Sequence, residues 1–404
     1  THCPDVKAIP LLLEMLPLEG LCMPTVTSRL VLYFPGFDPL DAAAHHLRYQ
    51  RAAALAGKTW DVDYAVGPLE NAPGGETFTV EASAGDWQTR SEIFVYDHNG
   101  VISELRDEPV WRQIWLGFKA GAGIVSEGGA ARYFRHAWRF GLFFIFPFLL
   151  MLVGGGLAAA IALLPWLFGL PLWLFALSLP AAALFFVTAF LPFAERFHTL
   201  HLYADWRFAL AVGRDEPIAR DWIEERAALV LTALEQPSDE VLVVSHSMGA
   251  SLALATIGRV LELKPDALEG RKLSFATLGG AALQCAFLSS ADRLRESVGT
   301  IARHQQVTWF DIQCLTDPIH LYRCNTVALT GHADAPQPKI VPIRFKHSLS
   351  PERYKKNKRN FLRMHRQYVL GPDRRSGYDF TLLTAGPVPA ASFADLDSQT
   401  PPAL

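Results

Sequence analysis

The stretch Val241-Leu-Val-Val-Ser-His-Ser-Met-Gly-Ala-Ser-Leu-Ala-Leu254 decides how this chain is read. Val241 to Val244 has the composition of a buried strand, and Ala250 to Leu263 continues with the apolar spacing of a helix. Between them, Ser245, Ser247 and Gly249 alternate. A serine presented on a sharp strand-to-helix turn needs small residues two before and two after it. Ser245 and Gly249 meet that need, although Ser245 carries a Cβ where the motif has glycine, so a slightly more open turn is expected. A serine hydroxyl attacks only when a base takes its proton and donors stabilise the oxyanion. Ser247 is therefore a candidate nucleophile whose partners must lie elsewhere in the chain.

The 404 residues carry a net charge of only -3 and are half apolar, which excludes a disordered chain and a basic nucleic-acid binder. The cysteines (Cys3, Cys22, Cys285, Cys314, Cys324) are odd in number and form no CxxC pair, which argues against a disulfide framework and for a reducing compartment. His198 and His201 share a helical face, but two ligands without a third make no metal site, and no cofactor is implied. Leu11 to Met23 is broken by Glu14, Pro17 and Glu19 and does not read as a signal peptide.

From Phe140 to Ala194 there is no charged residue. A run of roughly 55 residues is the length of two spanning helices, each needing about 20. Pro165, Gly169 and Pro171 mark the break, which sets spans near 141–163 and 171–193 with Trp166 and Trp173 at the interface beside the turn. Arg132, Arg135 and Arg139 precede the run and Arg196 and Arg207 follow it. By the positive-inside tendency, both termini and the main body then face the cytoplasm and the lipid bilayer is a partner. Two spans without an intramembrane charge give no transporter path.

The remainder alternates strands and helices. Ser28 to Phe34, Trp60 to Val66, Thr77 to Ala82, Glu92 to Tyr96, Leu273 to Leu278, Gln306 to Ile312 and Lys339 to Phe345 read as strands, the last an edge strand because of Pro342. Leu40 to Ala56, Asp107 to Gly121 and Ala204 to Leu234 read as helices, the last broken between Gly213 and Pro217. The expected class is α/β with a mainly parallel sheet flanked by helices. The segments are an N-terminal piece (1–27), a first part of the main domain (28–139), an inserted membrane hairpin (140–194), a second part (195–385), and a flexible tail rich in Pro and Ala (386–404).

With these elements in place the chain resembles the α/β-hydrolase family, in particular its lipase- and esterase-like members. The resemblance covers about residues 28–97 and 202–370 and rests on the Ser247 turn and three further stretches. Tyr33-Phe-Pro-Gly-Phe37 is similar to the loop supplying half of the oxyanion hole, which implies backbone donors at Phe37 and Met248. Phe275 to Gly280 resembles the strand following the nucleophile helix. Trp309-Phe-Asp311 to Thr316-Asp-Pro-Ile319 resembles the stretch carrying the acid; Asp317, in the loop before Pro318, suits that role better than Asp311 within the strand.

The family order of serine, acid and histidine leaves His320, His332, His347 and His365. His320 is too near Asp317 in sequence to come from a separate strand end, and His332 lies in a polar loop. His365, in an H-x-x-Y stretch resembling the family's histidine segment, is preferred, with His347 as the alternative base. The resemblance implies a membrane-anchored serine hydrolase that cleaves a carboxylic ester, lipidic or otherwise, through an acyl-enzyme. The alternatives are an acyltransferase using the same serine, and an inactive hydrolase-fold scaffold or binding protein.

Overall fold

Nine strands make a single sheet in the computed structural model, which describes residues 25–404: β1 (Ser28–Phe34), β2 (Asp63–Val66), β3 (Glu70–Ala72), β4 (Gly75–Ala84), β5 (Trp87–Val95), β6 (Glu240–His246), β7 (Leu273–Leu278), β8 (Val307–Cys314) and β9 (Lys339–Ile343). Cys3, Cys22 and the Leu11–Met23 stretch lie outside the described residues. The order is β2-β4-β5-β1-β6-β7-β8-β9, with β3 on β4. Pairing is parallel from β5 through to β9 and antiparallel among β2 to β5. The fold is therefore mixed α/β with a mostly parallel central sheet.

The central strands are apolar on both faces, as a sheet covered on both sides requires. Leu30, Leu32 and Phe34 of β1 join Val241 and Val243 of β6 in one core. Val31 and Tyr33 join Leu242 and Val244 in the other. Eight longer helices surround this frame: α1 (Ala42–Trp60), α2 (Val110–Ser126), α3 (Trp138–Ala162), α4 (Leu172–Glu195), α5 (Thr199–Gly213), α6 (Pro217–Ala233), α7 (Gly249–Leu263) and α8 (Asp292–Arg303). Asp41 caps α1 by accepting the Ala44 N–H.

After β1 the chain departs toward β5, and after β6 toward β7, so the carboxyl ends of the paired β1 and β6 form a topological switch point. Crevices at such points are where open α/β sheets place ligands.

Helices α3 and α4 are long and apolar enough to cross a membrane. They touch closely: a Cβ on Gly154 would lie 2.0 Å from the Phe190 ring. The Ser178 hydroxyl donates to the Ala162 carbonyl at 2.9 Å. The first turns of α3 instead belong to the body, where Phe140 and Phe144 pack edge-on against Tyr133 and Trp206. Beyond them Leu149, Leu152, Val153 and Leu157 are exposed, as are Leu172 and Leu184 of α4.

The structure corrects two expectations. Helix α1 runs to Trp60, so β2 begins only at Asp63; Trp60 is held there by its indole N–H donating to the buried Asp379 at 2.7 Å. The C-terminal segment expected to be a flexible tail is packed over residues 386–396. Buried Arg29 needs acceptors, and it finds the Gly386 and Val388 carbonyls at 2.9 and 2.8 Å beside its ion pair with Glu240. Glu240 in turn accepts the Ala390 N–H, and Phe393 is buried.

Candidate active site

Ser247 follows β6 at the start of α7 and has φ 54, one of five non-glycine residues in the left-handed region among those described. Such a backbone costs of order 1–3 kcal/mol and persists only where the surroundings fix it. Here they do so through the backbone. The Ser247 N–H donates to the Leu278 carbonyl, and the Ser247 carbonyl accepts from Ala250 and Ala281. Gly249 is required as well, since a Cβ there would stand 2.3 Å from the carbonyl oxygens of both Phe34 and Pro35. Ser245 is tolerated because its side chain points into the seam with β7, with its hydroxyl 3.4 Å from the Ala276 carbonyl. Ser247 is partly exposed between buried neighbours.

Because β1 pairs with β6, the loop after Phe34 lies directly over this turn; a Cβ on Gly36 would be 3.2 Å from the Ser247 Cβ. The backbone N–H groups of Phe37 and Met248 donate no hydrogen bond among the described residues. The Phe37 carbonyl is held at 2.7 Å by His201, whose Nε2 must carry the proton because a carbonyl only accepts. Burial lowers the His201 imidazole to about 4, which keeps it neutral in this role.

Asp317 and His365 meet. The Nδ1–H of His365 donates to Asp317 Oδ2 at 2.7 Å, in a buried contact between residues 48 apart in sequence. Burial works to raise the Asp317 carboxyl, but the imidazoles of His365 and His320 outweigh it and hold it well below the usual carboxylate range. His365 Nε2 is buried without a partner. His365, Ser247, Gly36, Phe37, His201 and Asp205 line one cavity of about 50 Å³. An imidazole with one nitrogen fixed by a carboxylate and the other free, lining the same cavity as a serine, has the chemistry to accept that serine's proton once the two are brought within reach.

The H-x-x-Y pattern has a structural cause. Tyr368 is fully buried, its hydroxyl accepts the Cys314 N–H at 2.7 Å, and its ring fills the space over Gly279. It thereby ties the His365 segment to the ends of β7 and β8. Next to the histidine, Arg366 donates twice to Asp38 Oδ1, at 2.9 and 2.6 Å, while Arg48 donates to Oδ2 at 3.0 Å. The two guanidinium groups overcome the opposing effect of burial and hold the Asp38 carboxyl well below its usual range. This ion pair joins the loop after β1 to the His365 segment.

The other candidates fall elsewhere. Asp311 is buried in β8, where it accepts from Gln313 at 2.7 Å. His347 Nδ1 is 3.0 Å from the Ser398 hydroxyl, outside the cavity. His332 faces the Arg295 carbonyl. His320, set aside on chain proximity, in fact stands 3.2 Å from Asp317 Oδ2, although without hydrogen-bond alignment. No group of three metal-ligating side chains occurs among the described residues.

The sequence reading missed Asp38, Arg366, Asp205 and Gln284. Asp205 is buried in the cavity wall and accepts from Gln284 at 2.9 Å; burial raises its carboxyl to about 7. Asp38, adjoining Phe37, was the one with a local signal. No family model, curated protein or solved structure matches this chain.

Proposed function

We propose that the chain is a serine hydrolase of the α/β-hydrolase kind. More particularly, it is a membrane-anchored ester hydrolase in which α3 and α4 form a transmembrane hairpin and the body lies on the cytoplasmic side. The observation that carries this reading is the strained Ser247 turn sharing a cavity with His365, whose free Nε2 lies across the ring from the Asp317 contact. The inactive-scaffold reading is the weaker one because the left-handed Ser247 and the buried Asp317–His365 contact occur together.

In the proposed reaction the Ser247 oxygen attacks the ester carbonyl carbon as His365 Nε2 takes its proton. The Phe37 and Met248 N–H groups receive the developing oxyanion. Collapse expels the alcohol, which leaves with the proton from His365, and Ser247 holds the acyl group. Water then attacks with His365 again as base, releasing the carboxylic acid and restoring the serine. With an alcohol in place of water, the same residues would perform acyl transfer.

The test is hydrolysis of short-chain activated esters by protein in detergent or vesicles. Ser247→Ala and His365→Ala should each abolish turnover, with expression and membrane association retained, whereas His347→Ala should not. Full activity in Ser247→Ala would refute the assignment.

A further inference from the structure

The cavity above Ser247 is too small for an acyl chain, because ligand pockets run to about 300–1,000 Å³ and this one is about 50 Å³. Beside it lies a groove of about 450 Å³, lined by Trp138, Leu142, Phe143 and Phe146 of α3 together with Phe197 and Phe361. Arg139 is the only charged residue lining it among those described, and its guanidinium is occupied by the Leu315 carbonyl at 2.9 Å. Phe143 lines both spaces. Its ring meets that of Phe361 at 6.2 Å and that of Trp206 at 5.9 Å, so Phe143 is a wall shared by groove and cavity.

The depth of this groove follows from helix length. About 20 helical residues cross the hydrocarbon layer, and counting that number back from Ala162, where α3 ends, reaches Phe143. With α3 spanning, the groove therefore opens at the edge of the hydrocarbon. Helix α2 agrees from the other side of α3. Its Phe118 packs on Phe148 at 5.5 Å, while Trp111 and Trp115, one turn apart, stay exposed as interfacial residues do. The segment entering Phe361 carries Lys355, Lys356, Lys358 and Arg359, with Arg363 following, all exposed. Such a cluster suits an anionic lipid surface.

We propose that this groove takes the acyl chain of a bilayer-resident ester sideways from the membrane, with Phe143 as the movable partition between the chain and Ser247. The substrate class is then a long-chain acyl lipid rather than a water-soluble ester. This rests on the hydrolase reading above. The ester carbonyl would sit over Ser247 and the chain would run past Phe143 along Leu142 and Phe146.

The experiment uses the full chain in phosphatidylglycerol vesicles with two substrates, para-nitrophenyl acetate and a fluorogenic palmitoyl phosphatidylglycerol. Leu142→Trp narrows the groove at a half-exposed position the fold tolerates. It should lower the ratio of palmitoyl to acetyl turnover by about tenfold or more. An unchanged ratio with both esters cleaved would overturn the groove while leaving the hydrolase standing. Independently of turnover, a diazirine-bearing palmitoyl phosphatidylglycerol should photolabel peptides containing Phe146 and Phe361 in Ser247→Ala. If wild type cleaves neither ester, the hydrolase reading fails; labelling at those peptides would still support the groove, and its absence would overturn it.

Discussion

Asp317 Oδ2 and His365 Nδ1 are 2.7 Å apart, and the opposite ring nitrogen of His365 is buried without a partner. An ionised carboxylate only accepts, so the contact forces the proton onto Nδ1 and leaves the lone pair on Nε2. In Asp317→Asn the amide can instead donate, which favours the wrong tautomer. The expected outcome is a kcat fall of about 10³–10⁴-fold with little change in KM, checked by steady-state ester hydrolysis. His320→Gln removes only the misaligned neighbour and should cost far less.

Ser247→Gly removes the penalty of a left-handed backbone on a residue bearing a Cβ. Thermal denaturation should show this variant more stable by about 1 kcal/mol while it is catalytically dead. Equal or lower stability would mean that the turn is not strained.

The two small residues flanking Ser247 differ in how far they are constrained. Gly249→Ala drives a methyl group into two backbone carbonyls at 2.3 Å, which cannot move without breaking β1. Its folded yield or melting temperature should drop sharply. Ser245→Gly should fold normally and retain activity, because the serine hydroxyl gains only a long 3.4 Å contact.

Asp205 gives a pH signature in stability. Its carboxyl sits at about 7 in the folded chain through burial, partly offset by Gln284. In the unfolded chain it ionises near pH 4, as an ordinary Asp does. Across that window only the folded state keeps the proton, so the stability Asp205 contributes is full at low pH and is lost as pH rises through about 7. Asp205→Asn keeps the acceptor for Gln284 without the titration. Its melting temperature relative to wild type should be higher at about pH 8 than at about pH 5, by the equivalent of about 2–3 kcal/mol.

The parallel core was legible because β6 and β7 are short, mostly apolar runs followed by small residues. The pairing of Asp317 with His365, and the placing of His365 and Ser247 on one cavity, follow residues that the family resemblance had singled out by chain order and local context. What escaped were relations made only by folding. Asp38 and Arg366 lie 328 residues apart and pair only because the loop after central strand β1 and the His365 segment converge in the fold. The Pro- and Ala-rich C-terminal stretch looked unstructured by composition. It is ordered by Arg29 and Glu240, two buried charges whose need for partners cannot be read from local sequence. His320 was dismissed on chain proximity, yet a tight turn at Pro318 brings it to Asp317.

The most direct measurement is to treat the full chain in detergent or vesicles with a fluorophosphonate, digest it, and locate the phosphonyl adduct by peptide mass spectrometry. Modification at Ser247, lost in Asp317→Asn and His365→Ala variants that remain folded, is the expected result. A folded wild-type chain that stays unmodified, or that is modified at another serine, would contradict the assignment of Ser247 as an activated nucleophile.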